Sequence, residues 1–189
     1  MESTDNNEND NDDDYNNKKY DKFLTVMKLY SAFKQLKYDN EPDEILPNAL
    51  YLGSISAAMN KETLLNNKIH LIIIAARDIK HIYPDNFIYF QFDLLDSETE
   101  YIKKYFNQSN ELIHSTITKG RRVFVHCHAG ISRSATLVIA YLMKYCRMSF
   151  NGAFSYVKSK RHKINPNPGF IKQLQEYEDE LGCCLGKTK

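Results

Sequence analysis

The stretch VFVHCHAGISRSAT, Val123 to Thr136, sets a cysteine between two histidines and follows it with a glycine, two serines and an arginine. The run RRVFVH leading in is short, apolar and β-branched, and SATLVIAYLMKYC leading out is apolar nearly all round. The pattern predicts a buried strand ending at Val125 or His126, a loop, and a buried helix starting near Arg133. In such a unit the loop N–H groups and the helix N-terminus converge on one spot and make an anion site. Gly130 lets the backbone close tightly around a ligand, and Arg133, six residues after Cys127, can return a guanidinium to the same anion. A thiol at that mouth is pulled toward thiolate by the amides, the helix dipole and the arginine.

Three other readings of the stretch compete with this one. A metal site fits poorly, because His126, Cys127 and His128 are consecutive, their side chains alternate sides in extended backbone, and no second ligand pair occurs elsewhere. A redox thiol wants a resolving cysteine two or three residues away, and none is there. A plain buried turn is compatible with a bare Cys-x5-Arg, but Gly130, Ser134, the strand before and the helix after all point to an anion cradle.

Outward from the loop, strands and helices alternate. ALYLG reads as a short strand closed by Gly53, after a break bracketed by Pro42 and Pro47, and SAAMNKETLLNN as a helix with Ser56 as a possible cap. IHLIIIAA has the length and isoleucine density of a strand buried on both faces, and NFIYFQFDL is a second, aromatic one. A helix is predicted from the Ser-x-x-Glu signal at Ser97 to Glu100 through to Gly120, with two more around Phe150 to Lys160 and Gly169 to Leu181. This order implies an α/β domain with a central, mainly parallel sheet flanked by helices.

The chain of 189 residues, 42% apolar and 12% aromatic, is enough for one packed domain with some appendage. Residues 1 to 17 hold seven acidic side chains and no basic one, leaving 25 basic against 17 acidic residues, a net of +8, in the remainder. A basic body suits an anionic substrate, although a solvated lysine-rich surface gives the same count. We expect residues 1–21 to be a disordered acidic Asn/Asp-rich tail and residues 22–41 an added N-terminal helix, since Phe23, Val26, Met27, Tyr30 and Phe33 recur at helical spacing. Residues 42–182 are expected to form the folded domain and 183–189 a short C-terminal tail. No apolar run reaches membrane-spanning length, there is no signal-peptide pattern, and the four cysteines make no disulfide framework, so a reducing compartment is expected, cytoplasmic with the nucleus as a further address.

HCHAGISRSAT resembles the His-Cys-x5-Arg-Ser phosphate loop of the cysteine-dependent protein phosphatases, and specifically the small atypical dual-specificity phosphatases. AYLMKY and INPNPGFIKQLQEYE resemble the same family's central helix and C-terminal segment, and ILPNALYLGS and KIHLIIIAA also match, so the likeness spans about Pro42 to Leu181. It implies the protein tyrosine phosphatase-like fold and hydrolysis of phosphotyrosine and phosphoserine or phosphothreonine through a cysteinyl-phosphate intermediate, without cofactor or metal. Cys127 would be the nucleophile; the amides of His128, Ala129, Gly130, Ile131, Ser132 and Arg133 would hold the phosphoryl oxygens; Arg133 would neutralise charge in the transition state. Ser134 matches the serine that helps the thiolate leave.

The family's general acid lies ten residues before the phenylalanine of the following helix, and counting back from Phe106 reaches Asp96, with Asp93 as the other candidate. His126 matches a position thought to tune the thiolate, or is simply a satisfied strand-end histidine. Asn167, in the Pro-Asn position, braces the phosphate loop or is a turn asparagine. The chain departs from many relatives at Ile74, where they carry asparagine. The basic cluster KSKRHK, Lys158 to Lys163, reads first as a solvated helix end, with substrate steering or a nuclear address as the alternative. Phosphorylated proteins are the expected partners of a monomer, with no nucleic acid. Two rival functions stay open: a catalytically weak, phosphoprotein-binding pseudophosphatase, and a phosphatase of phosphoinositide or RNA 5′ phosphates.

Overall fold

A computed structural model of the chain describes residues 22, 24–27 and 39–184, the side chains of residues 183 and 184 excepted. Lys22 and Leu24 to Met27 are helical; the acidic tail, the rest of the predicted N-terminal helix and residues 185–189 lie outside the described residues.

From Asp39 onward the elements follow in the order β1 (Asp43–Leu46), β2 (Leu50–Gly53), α1 (Ile55–Ala58), α2 (Lys61–Asn66), β3 (Ile69–Ala75), β4 (Ile88–Phe92), a 3-10 turn (Ile102–Tyr105), α3 (Phe106–Ile117), β5 (Arg122–His126), α4 (Arg133–Tyr145), α5 (Phe150–Lys160) and α6 (Pro168–Cys184). The sheet order is β1-β2-β5-β3-β4, parallel except for the antiparallel edge pair β1 and β2. This is the mixed, mainly parallel sheet that the alternation of elements implies, with β5 at its centre.

Period-two alternation along β5 divides the core in two. Val123 and Val125 face a cluster built with Leu50, Leu52, Ile73 and the apolar sides of α3, α4, α5 and α6. Phe124 faces the opposite way, into a smaller cluster with Tyr51, Ile72, Ile74, Ala57 and Leu64. Ile74, the departure from the family pattern, is fully buried in that second cluster and pairs in register with His126.

Four local expectations change. The supposed break between Pro42 and Pro47 contains β1, an edge strand that buries one residue, Ile45, and so offers little apolar pattern to read. The helix read from Ser56 is two short helices, capped by Ser54, which accepts from the Ala57 N–H, and by Asn60, which accepts from the Thr63 N–H. Asn60 satisfies a free amide and restarts the coil at its own position. The Ser97 to Glu100 signal does not start a helix. The Glu100 carboxylate turns back to the Leu95 N–H instead, so the segment stays a loop and α3 begins at Phe106. At the other end, Pro168 rather than Gly169 opens α6, its missing N–H falling where no helical partner exists.

Candidate active site

The loop from Cys127 to Arg133 joins the centre of the sheet to α4, whose residues Arg133 to Met143 are all buried. Every carbonyl from Cys127 to Ser132 accepts a hydrogen bond. The Cys127 oxygen lies 3.2 Å from His126 Nδ1. His128 O accepts from the Ile55 N–H and Ile131 O from the Asn165 N–H, both at 2.9 Å. Ala129 O and Gly130 O accept from Arg161 Nη2 and Nε at 3.0 and 2.8 Å. Ser132 O accepts from the Thr136 N–H in the first turn of α4. No peptide here is cis, so each carbonyl pinned outward turns the following N–H the other way, and the amides of His128 to Arg133 are presented as a concave set of donors. Gly130 permits the closure: it sits at φ +64°, and a Cβ there would come within 2.3 Å of the Gly53 carbonyl oxygen.

The sulfur of Cys127 is the focus of this cradle. It is buried, 1% exposed, and accepts from the Gly130 N–H at 3.3 Å and the Ser134 hydroxyl at 3.2 Å. Cys146, read as part of the buried helix, instead follows the last residue of α4 and is exposed, with partial burial raising its pKa.

Arg133 is 8% exposed. Its Nη1 donates to the Leu94 carbonyl at 3.3 Å. Its Nε lies 3.4 Å from Asp96 Oδ2, close enough for charge attraction but misaligned for a hydrogen bond, so a buried guanidinium donor is left over for an anion. Asp96 is held by its other oxygen: Oδ1 accepts from the Ser132 hydroxyl at 2.7 Å and from Asn167 Nδ2 at 3.0 Å. Ser132, at the N-cap of α4, makes no side-chain cap bond; its hydroxyl donates to Asp96 and accepts from the Asn167 N–H at 3.2 Å. The side chain of Asn167 reaches the loop that carries Asp96 rather than the phosphate loop, which is met instead by the Asn167 backbone N–H donating to the Ser132 hydroxyl. Asn167 Oδ1 accepts from the Phe170 N–H at the start of α6. Asp93 points elsewhere, into an exposed ion pair with Arg77 at 2.7 Å.

His126 is 1% exposed, stacks on Phe124 and meets the carbonyl, not the sulfur, of Cys127. Burial pushes its pKa down to about 4, so the ring is neutral and its Nδ1–H donates to that carbonyl. Its contact is with the loop backbone. His128 presents Nε2 to the Asp78 carboxylate at 3.1 and 3.2 Å on the rim.

The basic cluster holds the residue that local reading missed. Arg161 is 3% exposed, bonded to two loop carbonyls and paired with Asp39 and Asp43, and Lys163 also reaches Asp39. Nothing within the cluster marks Arg161 out, since the partners stand 31 and 32 residues away in the loop and 118 and 122 away near the start of the domain. Among the described residues no group of three or more His, Cys, Asp or Glu is placed to hold a metal ion, and no helix is long and apolar enough to cross a membrane.

Residues 50–180 match the family model for the dual specificity phosphatase catalytic domain. The chain is 35% identical over 167 residues to dual specificity protein phosphatase 1 of Arabidopsis thaliana, covering 88% of this chain and 84% of that one. It is 40% identical over 140 residues to a probable rhodanese domain-containing dual specificity protein phosphatase of Dictyostelium discoideum, covering 74% of this chain but 29% of the longer relative. The crystal structure of human tyrosine phosphatase-like serine/threonine/tyrosine-interacting protein superposes with a TM-score of 0.70 at 42% identity, over 75% of this chain and 97% of that chain.

Proposed function

Because this chain belongs to the dual specificity phosphatase family and is a protein phosphatase, we propose that it dephosphorylates tyrosine and serine or threonine side chains through a cysteinyl-phosphate on Cys127. The observation that carries the reading is the position of one sulfur at the focus of a loop whose carbonyls all point away from it. A phosphoryl dianion seated in the cradle takes its equatorial oxygens to the loop amides and to Arg133. Cys127 Sγ then stands on the axis through phosphorus. Sulfur donates its electron pair to form the S–P bond while the bond from phosphorus to the leaving oxygen breaks.

The leaving oxygen needs a proton, and Asp96 is placed to supply it. Oδ1 is occupied by Ser132 and Asn167, so Oδ2, on the side of Arg133, is the oxygen left to face the leaving group. A bound phosphoryl group takes the charge of Arg133 for itself and frees Oδ2 for the leaving group. In the second half, water attacks phosphorus and gives its proton back to Asp96, the S–P bond breaks, and the sulfur departs as thiolate with the Ser134 hydroxyl donating to it. Capture without turnover would not require a nucleophile, an arginine donor and a carboxyl group around one point.

The decisive experiment is Cys127→Ser assayed on 4-nitrophenyl phosphate and on phosphotyrosine and phosphothreonine peptides. Turnover should vanish, since a serine hydroxyl does not ionise near neutral pH, while circular dichroism stays native. Retained turnover would remove Cys127 from the reaction.

A further inference from the structure

We propose that Arg161 is a positioning residue of the phosphate loop, acting through a single peptide unit on the amide that faces the nucleophilic sulfur; the inference rests on the assignment of Cys127 above. The peptide joining Ala129 to Gly130 has its oxygen on Arg161 Nη2 at 3.0 Å and its N–H on Cys127 Sγ at 3.3 Å. The two ends of a trans peptide point in opposite directions, so holding the oxygen aims the hydrogen. Nε of the same guanidinium takes the next carbonyl, Gly130 O, at 2.8 Å and aims the Ile131 amide likewise.

Nε and Nη2 lie along one edge of a rigid planar fork, which matches two successive carbonyls as a flexible ammonium cannot. The remaining nitrogen is held by carboxylates: Nη1 donates to Asp39 Oδ1 at 3.0 Å and to Asp43 Oδ2, and Nη2 also reaches Asp39 Oδ2 at 3.2 Å. A cation that is 3% exposed persists only when paired in this way, and here the pairing fixes the fork in one orientation. Fit is close, because a Cβ on Gly130 would lie 2.6 Å from Arg161 Nη2. An arginine that merely tethered Asp39 and Asp43 to the domain would have no need to end on the loop carbonyls. Lys163, whose Nζ also pairs with Asp39, supplies the contrast: it shares the carboxylate and touches no loop oxygen.

The test compares Arg161→Lys, Arg161→Met and Lys163→Met in the full chain, reading kcat and KM on 4-nitrophenyl phosphate, inhibition by orthovanadate, and the thermal midpoint. Loss of an aimed amide acts on the transition state, so Arg161→Met should lower kcat about tenfold or more, raise the vanadate inhibition constant by a similar factor and leave KM nearly unchanged. Arg161→Lys, reaching one carbonyl at a time, should fall between. Lys163→Met should keep wild-type kinetics. If Arg161→Met does not fold, Arg161→Lys decides. Wild-type kcat and vanadate inhibition in the folded Arg161 variants would overturn the proposal, as would an equal kinetic loss in Lys163→Met, which would make the cluster a tether only. Either result leaves Cys127 in place provided Cys127→Ser is dead, whereas an active Cys127→Ser overturns both assignments together.

Discussion

The hydroxyl of Ser134 donates to the sulfur of Cys127 across 3.2 Å, from the first turn of the helix that the loop feeds. Ser134 is fully buried, so no water can replace the donor if the hydroxyl is lost. The contact is of most use when sulfur leaves as an anion, because hydrogen bonds to charged acceptors contribute roughly 1.5–3 kcal/mol. Ser134→Ala should therefore slow the second half of the reaction on the order of ten- to a hundredfold and convert the kinetics to a burst. The check is a stopped-flow trace with 4-nitrophenyl phosphate, in which the burst amplitude should approach one nitrophenolate per active site. A linear trace with unchanged kcat would place the serine outside the reaction.

Asp96 and Asp93 are separated by the leaving-group test. Asp96→Asn keeps both Oδ1 contacts to a first approximation but cannot donate a carboxyl proton, so turnover on phosphopeptides should drop on the order of a hundredfold or more. The deficit should shrink on substrates with acidic leaving groups, which depart without protonation. Asp93→Asn, which loses only an exposed ion pair with Arg77, should change neither. The opposite pattern would identify Asp93 as the acid.

What was legible in the sequence was whatever is local. The run Ile69–Ala75 and the Val123 to Val125 core of β5 carry their burial in their composition, and Cys127, Gly130, Arg133 and Ser134 lie within one short segment whose chemistry can be read in place. The proposed acid was reachable only through a family spacing, because the sequence around Asp96 gives no sign that Ser132 and Asn167 will meet its carboxylate. Arg161 was not legible at all. Its charge reads as part of a basic surface cluster, and only the fold brings two loop carbonyls and two distant aspartates onto it. β1 was hidden for a related reason: its pairing with β2 comes from backbone that every residue has, and only Ile45 of its four residues is buried.

Gly169 tests whether the loop that carries Asp96 must sit close to α6. A Cβ at this position would lie 2.0 Å from the Glu98 carbonyl oxygen, while Gln173 and Asn167 bind the same loop at the Glu100 carbonyl and at Asp96. Gly169→Ala should push the loop outward and reproduce the leaving-group pattern of Asp96→Asn in milder form, with vanadate binding retained because the phosphate loop is untouched. Equal losses on both kinds of leaving group would show that the damage reaches beyond the acid.

Selective alkylation of Cys127 and Cys146 should follow their surroundings rather than their exposure. Cys146 is exposed yet held as thiol, its pKa raised by partial burial, whereas Cys127 is buried at the focus of the amides. Iodoacetate, an anion that the cradle can seat, should modify Cys127 first at neutral pH. Inorganic phosphate should slow that reaction and leave Cys146 labelling unchanged, with mass spectrometry of tryptic peptides as the readout. Protection of both sites, or of neither, would count against the loop as the anion site.

His126 gives the fold a pH dependence whose sign is fixed by burial. Its folded-state pKa is pushed down to about 4 from the ordinary histidine value of 6.5, so the unfolded chain takes up a proton that the native ring refuses. Well above pH 6.5 both states are neutral here and the residue contributes almost no slope. As pH falls below that, the unfolded state gains, and native stability should decline by about 2 kcal/mol between pH 7 and pH 5 from this group alone. His126→Phe keeps an aromatic ring against Phe124 and has nothing to protonate, though it gives up the hydrogen bond to the Cys127 carbonyl. Urea unfolding of both proteins from pH 7 to pH 5 should show the wild type ahead at pH 7, with its advantage eroding as the acid arm is entered. Parallel curves across that range would mean that the histidine titrates alike in both states and is not sealed behind the loop.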